Sequence, residues 1–170
     1  MSGGPHEATR GPPGARRRSA ARLAAVQALY QIELSGVAPE AVIAEFQQHR
    51  LGRDQDGENY GQADATLFAD IVRGAVEHRA TLDAAITTVL TPDWPLDRLE
   101  VTLRAILRAG AYELSSRRDV PAPVVINEYI DIAHAFFSGK EPGLVNGVLD
   151  RLAQSARPEE VSRGSDASPR

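Results

Sequence analysis

An all-helical fold is what this sequence predicts, on three observations. Apolar residues recur at helical rather than alternating spacing through the middle of the chain. β-branched runs bounded by hairpin turns are missing. Glycines and prolines mark the stops, at Gly36, in the segment TPDWP and at Ser138-Gly139.

The elements follow in order. The first 15 residues, MSGGPHEATRGPPGA, are rich in Gly and Pro and lack apolar periodicity, which predicts a disordered tail. The first helix is expected to start near Ser19 as N-cap, to bury Leu23, Val26, Leu29 and Tyr30, and to stop at Gly36, where glycine accepts the left-handed conformation. A short helix from about Pro39 to Gln48 turns Val42, Ile43 and Phe46 inward, and LGRDQDGENYGQ, residues 51–62, reads as a polar loop. Leu67, Phe68, Ile71, Val72, Ala75 and Val76 open a third stretch. Leu82, Ile86, Val89 and Leu90 carry its pattern on to TPDWP, whose prolines end it with Trp94 packed between helices. From about Asp97 to Ser116, the residues Leu99, Leu103, Ile106, Leu107 and Leu114 mark another helix. The last two run from Pro123 to Phe137 and from Glu141 to Ala156. RPEEVSRGSDASPR, residues 157–170, reads as a second disordered tail, so 16–156 is the folded unit.

Composition narrows the function classes. A chain of 170 residues suits one globular domain with a real core and leaves no room for a second, catalytic one. The absence of cysteine excludes disulfides and thiolate metal sites. No run of about 18 apolar residues could span a bilayer, and the basic N-terminus lacks the apolar core of a signal peptide, so a cytoplasmic protein is expected. The histidines His6, His49, His78 and His134 lie far apart, and no Walker loop, dinucleotide fingerprint or Gly-x-Ser-x-Gly elbow is present. Glu113, Glu128 and Asp131 are explained by solvated helix faces or caps as well as by acid–base work. A binding protein without cofactor or metal is therefore expected, and not an enzyme.

Charge is unevenly placed. Residues 1–22 carry five arginines and one glutamate, a net of +4 in a chain of formal charge -4, so the remainder holds -8. Arg16, Arg17, Arg18 and Arg22 fall between tail and helix, where cationic side chains can follow a phosphate backbone. The positive end of a helix dipole is a poor place for cations on grounds of stability, although a solubilising tail is the bland alternative. Four neutralised phosphates on a single strand give a log-log salt slope near -3. Stacking aromatics are few, with Tyr30, Tyr60 and Tyr129 the candidates. Gly147, inside a helix, is expected to admit a close neighbour, the first helix before a ligand, with Asn146 beside it free to cap or to touch a nucleotide. Lys140, the single lysine, would extend the arginine surface if its turn lay beside it.

RRRSAARLAAVQALYQIELSG, LRAILRAGAYELSSRRDVPAPVVINEYIDIAHAF and LVNGVLDRLA together resemble the NusB family of bacterial transcription antitermination factors, in the family's order from about Arg16 to Ala153. The resemblance implies a compact bundle of about seven helices in two small subdomains. It further implies binding of boxA, a short single-stranded RNA element in leaders of ribosomal RNA operons. NusE, a small-subunit ribosomal protein, is the implied protein partner, and the pair would help to load an antitermination complex on RNA polymerase. The family's arginine-rich motif matches Arg16, Arg17, Arg18 and Arg22. Lys140 would join them on the RNA backbone, and Leu144 and Asn146 would touch bases. Tyr30, Asp97 and Glu100 match positions expected to face NusE. Relatives commonly have an aromatic residue at Leu144, where leucine offers no π-face, and some have acidic residues at Lys140 and at Leu103, the latter facing NusE. Two other readings remain: an accessory domain of a ribosomal RNA methyltransferase, and a homodimeric interaction module whose interface covers the arginine helix.

Overall fold

The computed structural model describes residues 13–49 and 64–160; the loop predicted at 51–62 with Tyr60, the first twelve residues with His6 and Arg10, and the last ten lie outside the described residues. Seven α-helices and one 3-10 turn account for the described chain, with no strand among the described residues. They are α1 (Pro13–Ser35), α2 (Pro39–His49), α3 (Ala65–Glu77), α4 (Arg79–Val89), the 3-10 turn Leu96–Arg98, α5 (Val101–Ser116), α6 (Ala122–Phe136) and α7 (Glu141–Ala156).

Four boundaries differ from the sequence reading, each for a local reason. α1 begins at Pro13, since proline is tolerated in a first turn whose amides lack partners anyway. Ser19 is consequently inside the helix, and its hydroxyl donates to Glu128 Oε1 at 2.9 Å instead of capping. The third stretch divides at His78, so that α3 faces α1 and α5 while α4 turns toward α5 and α7. The helix expected from Asp97 opens as a 3-10 turn and an extended Leu99, which buries both Leu96 and Leu99 before α5 starts. At the C-terminus the expected tail starts too early: residues 157–160 are placed, and Arg157 is 1% exposed.

α5 is the axis of the molecule. Its residues from Ala105 to Leu114 are all buried, and α1, α3, α4, α6 and α7 pack around it. Helices α1–α3 form one group and α4–α7 another, but their apolar residues make one continuous core. Gly74 permits the crossing of α3 over α5, because a Cβ there would lie 2.1 Å from the Tyr112 ring. The Tyr112 hydroxyl crosses back to α3, donating to Asp70 Oδ1 at 2.7 Å.

Candidate nucleic-acid interface

Arg16, Arg17 and Arg18 occupy the first two turns of α1 and are exposed. Their segment is fixed from the side, where the Asp64 amide donates to the Arg17 carbonyl at 3.0 Å while the Asp64 carboxylate caps α3 through the Leu67 amide. No acidic residue stands in the first turn of α1. Among the described arginines, only these three and Arg98 make no side-chain hydrogen bond or ion pair with a described residue. Three cations stand here at the positive end of a helix dipole without counter-charge, an arrangement whose electrostatics favour an anion.

Arg22 does not belong with them. It is 1% exposed, and its Nε and Nη2 donate to the two Glu113 carboxylate oxygens at 2.8 and 3.0 Å. The Tyr129 hydroxyl donates to the same carboxylate at 2.5 Å, and Glu128 Oε2 lies 3.8 Å from Arg22 Nη1. Burial opposes the charge on Arg22, but the bond to Glu113 and its charge outweigh it and hold the guanidinium charged. Burial, and then Glu113, push the Tyr129 hydroxyl well above its ordinary range. Arg22, Glu113 and Tyr129 are closed to phosphate in solvent, so Tyr129 is also removed from the stacking candidates. A signal was present in the sequence: Arg22 precedes Val26 by four residues and Leu29 by seven, which puts it on the buried stripe of α1.

The α7 residues lie elsewhere. Arg22 is level with Glu113 near the C-terminal end of α5, whereas Glu141 shares a cavity with Leu103 near its N-terminal end. At 1.5 Å per residue, and with Arg18 one turn beyond Arg22, Lys140 and the arginines are separated by roughly 20 Å along the bundle. The structure therefore does not bring Lys140 beside Arg16 to Arg22. Lys140 and Asn146 are exposed and Leu144 is half-buried. Gly147 faces open space, with nothing within 4 Å of the place a methyl group would take, so packing against α1 is not its reason.

Around the N-terminal end of α5 the remaining candidates do gather. Tyr30, expected in the core, is 42% exposed and lines a groove of about 640 Å³ with Val26, Leu34, Thr102 and Phe136. Asp97 is exposed at a second depression of about 620 Å³ whose other charges are internally paired. There Arg108 donates to Glu33 Oε2 at 3.1 Å and Asp83 Oδ1 at 2.7 Å, and Arg104 donates to Glu33 Oε1 at 2.6 Å. Glu100 is exposed at a third cavity, of about 260 Å³. Leu103, at 2% exposure, is a wall of that cavity rather than a surface contact. Trp94, which the sequence reading packed between helices, stands at the same cavity 38% exposed. Phe136, unpredicted as a site residue, is exposed because it falls on the α6 face that meets the groove.

Among the described residues no group of His, Asp and Glu could hold a metal ion, and no helix is long and apolar enough to cross a membrane.

Comparison with known proteins gives a consistent result. The NusB family model matches residues 19–154. The transcription antitermination protein NusB of Rhodopseudomonas palustris (strain BisB18) is 50% identical over 157 residues, covering 92% of this chain and 93% of that protein. That of Caulobacter vibrioides is 55% identical over 140 residues, covering 82% and 94%. Among solved structures, T. maritima NusB matches with a TM-score of 0.69 at 31% identity, covering 86% of this chain and 96% of that one. A structure of the antitermination factors NusB and NusE in complex with dsRNA matches with a TM-score of 0.68 at 27% identity, covering 82% and 98%. With the helical order and these relatives in agreement, the chain belongs to the NusB family.

Proposed function

We propose that this chain is a non-enzymatic RNA-binding antitermination factor. It binds single-stranded boxA RNA of ribosomal RNA operon leaders together with NusE and delivers the pair to the antitermination complex on RNA polymerase in the cytoplasm. The observation that carries the reading is the unpaired Arg16–Arg17–Arg18 turn, set against the pairing of nearly every other described arginine. These three side chains hold the phosphate backbone, and a strand that runs on toward α7 meets Lys140, Leu144 and Asn146. The exposed groove of Tyr30, with Asp97 and Glu100 nearby, is the surface offered to NusE. A basic ribosomal protein suits the acidic remainder of the chain.

Fluorescence anisotropy of a boxA RNA across a salt series tests this, with and without NusE. Three arginine–phosphate contacts give a log-log slope of about -2, and inclusion of Lys140 brings it to about -3. Arg16→Ala/Arg17→Ala/Arg18→Ala abolishes the tight, NusE-enhanced binding, and Lys140→Ala reduces the slope by about 0.7. A flat salt response, or full binding by the triple variant, refutes the assignment. Light scattering in the same solutions separates the alternative: a homodimer that RNA leaves intact marks an interaction module.

A further inference from the structure

We propose that the cavity beside Trp94 receives an arginine side chain from the protein partner. The inference rests on the NusE reading above and adds to it the kind of group that this cavity takes. At about 260 Å³ the cavity fits one long side chain and not a helix. Its charged lining is Asp93, Arg98, Glu100 and Glu141, three carboxylates to one cation. None of the four makes an ion pair or side-chain hydrogen bond with a described residue, in contrast to Glu33 and Asp83 in the neighbouring depression. Glu100 stands at the N-cap of α5 and caps nothing with its side chain.

Glu141 is the second observation. It stands in the first turn of α7, where backbone amides are available, yet its Oε2 is buried with no hydrogen-bond partner. A desolvated carboxylate oxygen without a donor is unfavourable, and rotation of the Glu141 side chain away from Gly139, toward which this oxygen packs, carries it to a donor in the cavity. Trp94, the single tryptophan, adds an exposed aromatic ring to the same cavity, set in a turn in which its amide donates to the Thr91 carbonyl at 3.0 Å. A guanidinium satisfies all of these features together, stacking on the indole and donating a fork of hydrogen bonds to carboxylates. The excess of carboxylates disfavours a nucleotide, whose phosphate they repel.

Calorimetric titrations with NusE and, separately, with boxA RNA test the proposal on the full chain as wild type, Trp94→Ala, Trp94→Phe and Glu100→Gln/Glu141→Gln. Trp94→Ala and the double glutamine variant weaken NusE binding about tenfold, whereas Trp94→Phe, which keeps a ring face, stays within about threefold of wild type. RNA affinity measured without NusE is unchanged in all of them. Undiminished NusE affinity in both weakened variants overturns the proposal and leaves the NusE reading intact. Any loss of RNA affinity also overturns it, assigning the cavity to a base. Failure of the wild type to bind NusE overturns both.

Discussion

Arg18 and Arg22 are one helical turn apart and have opposite fates, exposed without a partner and buried on Glu113. Arg18→Ala, a surface change with no described contact to lose, shifts folding free energy by less than about 0.5 kcal/mol. Arg22→Ala leaves the Glu113 carboxylate uncompensated in the core and destabilises by about 3–5 kcal/mol in urea titrations. The pair of measurements separates an arginine the fold depends on from one it does not. Two glycines make a parallel contrast. Gly147 faces open space in the middle of α7, so Gly147→Ala raises stability by about 1 kcal/mol. Gly74→Ala drives a methyl into the Tyr112 ring and lowers it. Equal effects of the two alanines would contradict the helix crossing described.

At the scale of elements, the end of the chain expected to be tail is a clasp. Arg157 Nε donates to the Leu114 carbonyl at 2.9 Å, and Nη2 donates to the carbonyls of Glu113 and Arg117 at 3.0 and 2.8 Å. Nη1 reaches the Val120 carbonyl and Glu160. One guanidinium thus satisfies the Leu114 and Val120 carbonyls, which have no backbone donor, and adds a second donor to those of Glu113 and Arg117, which already accept the Arg117 and Val120 amides; Glu160 in turn accepts the Ala122 amide at the start of α6 at 2.8 Å. Arg157→Ala leaves the Leu114 and Val120 carbonyls without a donor, removes three further hydrogen bonds and costs roughly 3 kcal/mol, a fall in Tm of about 6–12 °C for a domain of this size. Truncation after Ala156 removes the same clasp and reproduces the fall. The sequence did not signal this, because RPEE carries neither apolar periodicity nor a motif; only the docked α5–α6 turn gives Arg157 its partners.

For the whole molecule, the tyrosine contacts that tie helices together set an alkaline limit. Burial, and then the bond to Asp70, push the Tyr112 hydroxyl up to about 12, and Tyr129 moves in the same direction. A folded-state value above the unfolded one means that the stabilisation is fully present below the unfolded tyrosine value of about 10 and is lost as pH rises from there toward about 12. Stability followed by circular dichroism therefore holds up to about pH 10 and declines above it, and Tyr112→Phe flattens part of the decline. The same global arrangement sets the exposed side chains at two ends. The arginines of α1 project at one end, and Tyr30, Trp94, Glu100 and Lys140 surround the N-terminal end of α5 at the other.

By itself the sequence determined the helical class, most helix spans and the location of the arginine turn, because periodicity, proline and charge are local properties. The inward set of Val42, Ile43, Phe46, Leu67, Ile71, Leu103 and Ile106 was legible for the same reason. Which arginine is left exposed and which one is buried on a carboxylate was decided only by tertiary structure, since Glu113 comes to Arg22 from 91 residues away. The placement of Lys140 at the opposite end from Arg16, and the emergence of Trp94 at a carboxylate-lined cavity, were likewise decided by how α5, α6 and α7 pack. Spacing along the chain specifies which face of a helix a residue occupies; only packing specifies what that face meets.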